Sequence, residues 1–180
     1  ASVSWGRRCV YETGVCGYKI GPGGWTCSIV IPAGKPLNAS FVKVPTIYGA
    51  AFLIRRDVFL HVGMFDEKFF AYYDESDLSL RVRLAGFDIA CAPNAIAYHY
   101  GGASTRKGMF PSYQRTFLFS RNKVVTLIRI TSSSYLFIRL LFLLLDTLSG
   151  CLGYLLRGEG KSVLAMTKGI YEGIKNLHCY

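Results

Sequence analysis

The stretch FDEKFFAYYDESDLSLR, residues 65–81, sets acidic side chains among aromatic ones. The acidic residues are Asp66, Glu67, Asp74, Glu75 and Asp77. Carboxylates crowded in a partly apolar setting repel one another, which raises the pKa of a carboxyl and can make it a proton acceptor. The segment SDLSLRVRLAG at 76–86 predicts an amphipathic helix stopped by Gly86. The ordinary alternative is that the acids complement the helix dipole, with Asp74 or Ser76 as the cap.

The region around this stretch, about 46–105, alternates strand and helix signals and predicts an α/β domain. TIYGAAFLI at 46–54 is rich in β-formers, and RRDVFLHVG at 55–63 has helical apolar spacing ended by a glycine. FDIACAP and AIAYHY are predicted as two short strands. His99 would end the second of them and lead into Gly101 and Gly102, although a lone histidine in a strand is more often structural than a ligand.

Residues 1–45 are rich in glycine and proline and are predicted to be mostly loop. With 180 residues, 51% of them hydrophobic, the chain can form one domain and an appendage. It opens on Ala1 without the pattern of a signal peptide, which suggests a piece of a longer protein. The six cysteines lack zinc-like spacing and are interpreted as reduced thiols on a cytosolic face.

The net charge of +10 is concentrated in the C-terminal part of the chain. Residues 1–105 carry ten Lys or Arg and eight Asp or Glu, whereas residues 106–180 carry eleven and three. The same tail holds the apolar stretch from Tyr135 to Leu156, interrupted by Arg139 and Asp146. Basic residues beside an apolar helix favour an anionic membrane surface as partner and no nucleic acid, since no groove-reading motif is present. An interfacial helix, a membrane span and a soluble core helix all remain open.

GAAFLIRRDVF at 49–59 and VGMFDEKFFAYYDESDLSLRVRLAGFDIACAPNAIAYHYGGAS at 62–104 resemble the distal half of a family 2 glycosyltransferase, in particular its rhamnosyltransferase-like members. The resemblance implies the α/β GT-A fold, in which a Rossmann-like nucleotide-sugar half joins an acceptor half. Residues 1–105 would then be the acceptor half and 106–180 a basic, apolar, membrane-associating helical tail. The Asp-x-Asp motif of the nucleotide-binding half does not occur in the sequence, so the fragment is expected to be inactive alone.

The resemblance also implies a reaction, inverting transfer of a hexose from a nucleotide-diphosphate sugar to a lipid-linked or cell-surface glycan, with rhamnose as the family's leaning. An acceptor hydroxyl must lose its proton, which calls for a general base. The family's Glu-Asp pair falls on Asp74 and Glu75, in reversed order. By position Glu75 is the base and Asp74 orients it, with the opposite assignment kept open. Asp77 would hold the helix start or an acceptor hydroxyl, unless it only pairs with Arg81 four residues later.

Further roles carried over from the family concern the donor. His99 matches a histidine near the metal and pyrophosphate, where Mg²⁺ or Mn²⁺ would be the cofactor. Residues expected to contact the substrates are Gly49, Ala50, Ala51, Gly101, Gly102, Ser104 and Arg106. Arg121-Asn122-Lys123 resembles a basic turn that follows the catalytic half. The expected location is the cytoplasmic face of the membrane, in cell wall or polysaccharide biosynthesis. The rival hypothesis is a non-catalytic membrane scaffold or degenerate paralogue.

Overall fold

The structure is a computed structural model and describes residues 15–24, 26–30, 41–92, 95 and 112–175. This part of the chain is mixed α/β and mainly helical. Its elements in chain order are β1 Val15–Ile20, β2 Thr26–Val30, β3 Val42–Lys43, α1 Arg56–His61, α2 Asp74–Leu84, β4 Ala90–Cys91, α3 Ser112–Arg129, α4 Leu136–Leu156 and α5 Gly160–Lys175. Short 3₁₀ turns lie at Glu67–Phe69 and Ser133–Tyr135.

Strands β1 and β2 form an antiparallel hairpin in which Tyr18 is opposite Ser28 and Ile20 is opposite Thr26. The turn closes where the Gly24 N–H donates to the Gly21 carbonyl at 3.0 Å, and Gly24 has a φ of +81° that favours glycine. The prediction of mostly loop for 1–45 is therefore wrong over this hairpin. Its two strands are short and stand between glycines and prolines, so turn signals outweighed the β-branched and aromatic residues in each strand.

Strands β3 and β4 form a second small antiparallel sheet, which confirms the strand predicted in FDIACAP. The strand predicted over 46–54 is wrong, because residues 44–55 lie in turns and extended backbone outside the strands. In this segment, side-chain hydroxyls form hydrogen bonds with backbone groups, as a neighbouring strand would do in a sheet. Thr46 Oγ1 bonds both the N–H and the carbonyl of Tyr18 at 2.8 Å, and Ser79 Oγ accepts from the Ile47 N–H at 2.9 Å.

Cys91, at the end of β4, is disulfide-bonded, whereas Cys27 and Cys151 are free thiols. The prediction that all six cysteines are reduced is therefore wrong at Cys91. Spacing along the chain could not show this, since a disulfide depends on which thiols meet in the fold. Disulfides are typical of oxidising compartments, so cysteine usage no longer supports a cytosolic location.

Helices α1 and α2 pack together around a small core made by Val58, Leu78 and Val82. Both helices stop where the sequence predicted. Gly63 follows α1 with a φ of +82°, and Gly86 follows α2 with a φ of +86°. Glycine takes this left-handed conformation without the steric penalty of a Cβ, which ends each helix. Helix α2 begins at Asp74, two residues before the predicted start.

Helices α3 and α5 pack closely through small residues. A Cβ added to Gly173 would lie 2.8 Å from the Arg121 carbonyl oxygen, and one added to Gly169 would overlap the Phe117 carbonyl. The spacing Ala165, Gly169, Gly173 puts three small, buried residues on one side of α5. This lets its backbone approach α3 directly. The sequence PSYQRTFLFSRNKVVTLIRI at 111–130 predicts a helix, and α3 confirms it over Ser112–Arg129.

Helix α4 has 21 residues, and Leu143 is its one buried residue. Within the described ranges it is the helix that is long and apolar enough to cross a membrane, judged by length and composition alone. Its Asp146 pairs with the buried Lys123 of α3. Leu143 meets Val124 and Leu127, so α4 rests on α3 along a narrow line and leaves most of its surface open.

Candidate active site

The Asp74–Glu75 pair lies in the first turn of α2, directly after a residue with left-handed backbone. Tyr73 is the N-cap, with φ 65° and ψ −4°, and no side chain caps the helix. The alternative in which Asp74 or Ser76 is the cap is therefore wrong, because Asp74 is already helical and Ser76 is buried within the helix. The Tyr73 side chain therefore satisfies none of the free N–H groups of the first turn, whereas the Glu75 carboxyl accepts from the backbone N–H of its own residue.

Glu75 has the electrostatic setting of a proton acceptor. Burial, followed by the hydrogen bond and the charge of Asp74, raises the pKa of the Glu75 carboxyl from 4.5 to about 7. At that value the carboxylate is half protonated near neutral pH, which is the range in which general bases work best.

The turn at 48–51 brings Gly49 against the Glu75 carboxyl. A Cβ added to Gly49 would lie 3.3 Å from Glu75 Cδ and 3.6 Å from Oε1. Ala50 and Ala51 complete the same turn, in which the Ala51 N–H faces the Tyr48 carbonyl at 3.4 Å. The structure therefore joins the predicted Gly49 to the predicted Glu75, with small side chains beside the carboxyl.

Two tyrosines line this side of Glu75, and the sequence analysis did not identify either. The rings of Tyr18 and Tyr48 have centroids 5.6 Å apart. Burial, together with Tyr48 and Glu75, raises the pKa of Tyr18 to about 12, which shows that Glu75 lies close enough to act on it. Tyr18 belongs to β1, and no local pattern links it with a helix more than fifty residues away.

Asp77 takes part in a network of buried and half-buried ions. Only 1% of its side chain is exposed. Arg81 Nε donates to Oδ2 at 2.9 Å, which confirms the predicted pair, and Arg129 donates to Oδ1. Arg129 also pairs with Asp66 at 2.7 Å. Both Asp77 oxygens are thus engaged by arginines, and the geometry assigns it a role in holding α2 to α3.

The aromatic loop, residues 69–73, precedes the carboxylates and has unusual backbone angles. Phe70, Tyr72 and Tyr73 have φ values of 61°, 67° and 65°. At Phe70 the chain makes a γ-turn, since ψ is −54° and the Ala71 N–H donates to the Phe69 carbonyl at 2.7 Å. Such conformations are unfavourable for residues with a Cβ, and they cluster at functional sites.

Helix α3 fixes the aromatic loop through Arg121 and Asn122. Asn122 Nδ2 lies 2.8 to 2.9 Å from the carbonyl oxygens of Phe69, Ala71 and Tyr72, so its two N–H groups are shared among three acceptors. Arg121 Nη2 donates to the carbonyls of Lys68 and Phe69 at 2.7 and 3.1 Å. The basic turn expected at 121–123 is wrong, since these residues lie within α3. Asn122 could not be assigned from the sequence, because its partners are fifty residues away.

Two cavities lie near α2, but Glu75 lines neither of them. One of about 220 Å³ is bordered by Thr46, Ser76 and Arg83. The other, of about 600 Å³, is open and is bordered by Asp66, Asp77 and Arg129. Only the larger one borders the ion network, and we place the candidate chemistry at Asp74, Glu75 and Gly49 on the burial and electrostatics of the Glu75 carboxyl.

The remaining predicted site residues lie outside the described residues. These are His99, Gly101, Gly102, Ser104 and Arg106. Within the described ranges, no group of three or more His, Cys, Asp or Glu side chains could hold a metal ion. The described carboxylates alone therefore do not form a metal site.

The chain is similar to a glycosyltransferase over part of its length. It is 39% identical over 69 residues to N-acetylglucosaminyl-diphospho-decaprenol L-rhamnosyltransferase of Mycobacterium tuberculosis, from strains CDC 1551 / Oshkosh and ATCC 25618 / H37Rv. The match covers 38% of this chain and only 22% of the length of each relative. No family model and no solved structure matches the chain. The similarity supports a glycosyltransferase-like relationship and is compatible with the mixed α/β fold.

Proposed function

We propose that the chain is the acceptor-side part of an inverting glycosyltransferase with the GT-A fold, divided at about residue 105 from a membrane-associating tail. The observation that carries the proposal is the buried Glu75 carboxyl, hydrogen-bonded to Asp74 and raised in pKa to about 7. The partial similarity to a rhamnosyltransferase supplies the reaction class. Following that relative's name, the proposed donor is a nucleotide-diphosphate rhamnose and the proposed acceptor a sugar on a polyprenyl diphosphate.

In the proposed reaction, Glu75 accepts the proton of an acceptor hydroxyl as that oxygen attacks the anomeric carbon. The bond from this carbon to the nucleoside diphosphate breaks on the opposite face, so the configuration inverts. The hydrogen bond and the charge of Asp74 raise the pKa of Glu75, so the proton that Glu75 takes from the acceptor is shared with Asp74 by a hydrogen bond. Gly49 lets the backbone of the 48–51 turn approach the Glu75 carboxyl, because a larger side chain at this position would contact it. A positioned base of this kind contributes about 10² to 10⁴ in rate.

The proposal includes a divalent cation, Mg²⁺ or Mn²⁺, near His99, where it would offset the charge of the leaving diphosphate. Gly101, Gly102, Ser104 and Arg106 would contact that diphosphate. Loss of activity in EDTA, restored by Mg²⁺ or Mn²⁺, would support this part of the proposal. Activity that is unchanged in EDTA would remove the cation and leave the carboxylate mechanism standing.

The proposed location is a membrane surface, with α4 in contact with lipid. The exposed leucines of α4 supply apolar contact. Lys161, Lys168 and Lys175 recur every seven residues on α5, and all three are exposed. Their common face, on the side of α5 away from the buried glycines, would attract anionic headgroups. Such docking would bring the site to a lipid-linked acceptor.

The test compares Glu75→Gln with Asp74→Asn in the full-length gene product. Release of nucleotide from the donor is measured with the lipid-linked acceptor present. Glu75→Gln is expected to lower kcat about 10² to 10⁴-fold, because an amide cannot accept the proton. Asp74→Asn is expected to have a smaller effect, since Glu75 keeps its proton-accepting oxygens. Glu67→Gln, at an exposed acid in the neighbouring turn, is the matched control and should leave kcat unchanged.

The result that overturns the assignment is full activity in Glu75→Gln. A greater loss in Asp74→Asn than in Glu75→Gln would reverse the roles of the two carboxylates. If no donor is turned over by the wild-type protein, but it binds lipid vesicles, the non-catalytic scaffold becomes the better account.

A further inference from the structure

Three carbonyl oxygens of the aromatic loop converge on one amide group of α3. Asn122 is 1% exposed, and its Nδ2 lies 2.8 to 2.9 Å from the oxygens of Phe69, Ala71 and Tyr72. The orientation of this amide is fixed, because Arg121 Nε donates to its Oδ1 at 2.9 Å. The carbonyl side of Asn122 is thereby turned toward Arg121 and its N–H groups toward the loop.

These bonds fall where the backbone of the loop is least favourable. The Phe69 carbonyl accepts from Asn122, from Arg121 and from the Ala71 N–H of the γ-turn. The Tyr72 carbonyl, held by Asn122, belongs to a residue with a φ of 67° and directly precedes Tyr73. Without donors opposite these oxygens, the loop would lose the interactions that offset its left-handed residues.

The loop in turn determines how α2 begins. Tyr73 is the N-cap, and its carbonyl accepts from the Asp77 N–H at 2.9 Å. Its hydroxyl donates to the Gly24 carbonyl at 2.7 Å, and its ring lies edge-on to Phe119 of α3 at 5.0 Å. These contacts hold both the backbone and the side chain of Tyr73, which directly precedes Asp74 and Glu75. The direction of their side chains therefore depends on the path of the loop.

We infer that Asn122, supported by Arg121, is a positioning residue that holds the aromatic loop in its left-handed path and so orients the Asp74–Glu75 pair. This inference rests on the proposed function for its catalytic consequence. Its structural part, the control of the first turn of α2 by Asn122, does not depend on the reaction. Asn122 itself touches neither substrate nor reacting atoms.

The experiment compares Asn122→Ala with Thr126→Val in the full-length gene product. Thr126 lies one turn later on α3, is also 1% exposed, and its Oγ1 has no hydrogen-bond partner among the described residues. Both changes thus remove polar atoms from the same buried helix, but only Asn122→Ala removes donors to the loop. Amide hydrogen exchange at residues 70–77 is measured for each variant together with kcat, KM and the pH dependence of kcat.

In Asn122→Ala we expect faster exchange at 70–77 and a fall in kcat of about 10- to 100-fold per folded enzyme, with KM for the donor little changed. The acidic limb of the pH profile should move to lower pH, since a released Glu75 becomes hydrated and loses the effect of burial. The facing groups Asp74, Tyr18, Tyr48 and Tyr73 are unaltered in the variant. Thr126→Val should leave exchange at 70–77 and the profile at wild-type values.

A second variant separates loop strain from general damage. Phe70 is 70% exposed, so replacing it by glycine removes little packing and relieves the γ-turn. Asn122→Ala combined with Phe70→Gly should recover part of the lost protection and part of the lost kcat. Unchanged exchange and an unchanged pH profile in Asn122→Ala would overturn the inference. If exchange changes as expected but Glu75→Gln is fully active, the positioning stands and the proposed function fails.

Discussion

Helices α2 and α4 have opposite surfaces. Helix α2 buries polar side chains, with Ser76, Asp77 and Ser79 no more than 2% exposed. Helix α4 exposes nearly all of its large apolar side chains and buries Leu143. The exposed ones are Leu136, Phe137, Ile138, Leu140, Leu141, Phe142, Leu144, Leu145, Leu148, Leu152, Leu155 and Leu156. An ordinary helix in water keeps polar residues outside and apolar residues within; α2 departs from this by burying polar residues beside Leu78 and Val82, and α4 departs from it by exposing apolar ones.

The buried polar residues of α2 and the exposed apolar residues of α4 have different physical explanations. Polar groups are buried only where partners offset their lost hydration, so α2 is surrounded by arginines, hydroxyls and backbone groups that fix its position closely. Apolar surface of this extent stays in contact with water only at a free energy that proteins usually avoid. Helix α2 is thus held in one position by its buried polar contacts, whereas the exposed apolar surface of α4 is compatible with the membrane contact proposed for it.

The largest expected effect comes from removing the buried charge of α2. Asp77→Ala leaves Arg81 and Arg129 without the carboxylate that they share, and we expect the free energy of unfolding to fall by about 3–5 kcal/mol. Urea denaturation at pH 7 measures this change. Asp88→Ala is the matched control, because Asp88 pairs with Lys43 at 2.7 Å with 73% of its side chain exposed. That surface pair should contribute at most about 1 kcal/mol.

If both variants lose at most about 1 kcal/mol of unfolding free energy, the comparison is contradicted, since the interior of α2 would then behave like surface. If both lose several kcal/mol, the small sheet formed by β3 and β4 supports the fold more than its size suggests.

The next largest effect is a pH dependence of the free energy of unfolding, which arises from the titration of Glu75. Its folded pKa of about 7 lies above the ordinary 4.5, so the folded protein binds the proton more tightly than the unfolded chain. The stabilisation is complete below pH 4.5 and is lost as the pH rises through 7, a change of about 3 kcal/mol. Glu75→Gln should remove this dependence and be the more stable protein at pH 8.

The check is the difference in unfolding free energy between wild type and Glu75→Gln, measured from pH 4.5 to 8. Taking the difference cancels the other titrating groups. A difference that stays constant over this range would mean that Glu75 is not buried beside Asp74.

The sequence predicted the helices better than the strands, for a physical reason. Apolar spacing and terminal glycines are local signals, so α1, α2 and α3 and the stops at Gly63 and Gly86 were found. The β1–β2 hairpin was missed, and a strand was wrongly predicted at 46–54. In both segments the outcome depends on contacts between distant residues, such as Thr46 with the backbone of Tyr18.

The candidate site could be predicted in part for the same reason. Asp74, Glu75 and Asp77 are neighbours in the chain, and their acidity is visible in the sequence. Arg129 draws Asp77 into an ion network, and the turn at Gly49 lies against the Glu75 carboxyl. Those residues come together only in the folded protein. Local sequence therefore identified the carboxylates, and the fold separated Glu75 from Asp77.

A smaller effect is expected where α5 meets α3. Gly169→Ala puts a methyl group against the Phe117 carbonyl, and overpacking of this kind lowers the free energy of unfolding by about 1–3 kcal/mol. Gly153→Ala is the matched control in α4, where an added Cβ has no heavy atom within 4 Å. There, alanine should stabilise the helix by about 0.5–1 kcal/mol. Thermal unfolding of the two variants should shift in opposite directions, and shifts of the same sign would contradict the close packing of α5.

The smallest effect on folding is expected at the outer surface of α4. Leu144 and Leu148 are 54% and 58% exposed, so changing both to glutamine should alter the free energy of unfolding in aqueous buffer by less than about 1 kcal/mol. The same double variant should bind anionic phospholipid vesicles much more weakly, because each buried leucine contributes about 1.5–3 kcal/mol. Leu143→Gln, at the buried position, should do the reverse and mainly destabilise the fold. A strongly destabilised Leu144→Gln/Leu148→Gln protein with unchanged vesicle binding would mean that protein covers this surface. In that case the exposed apolar side chains of α4 would pack against another part of the protein. Their exposure, in contrast to α2, would then no longer indicate contact with lipid.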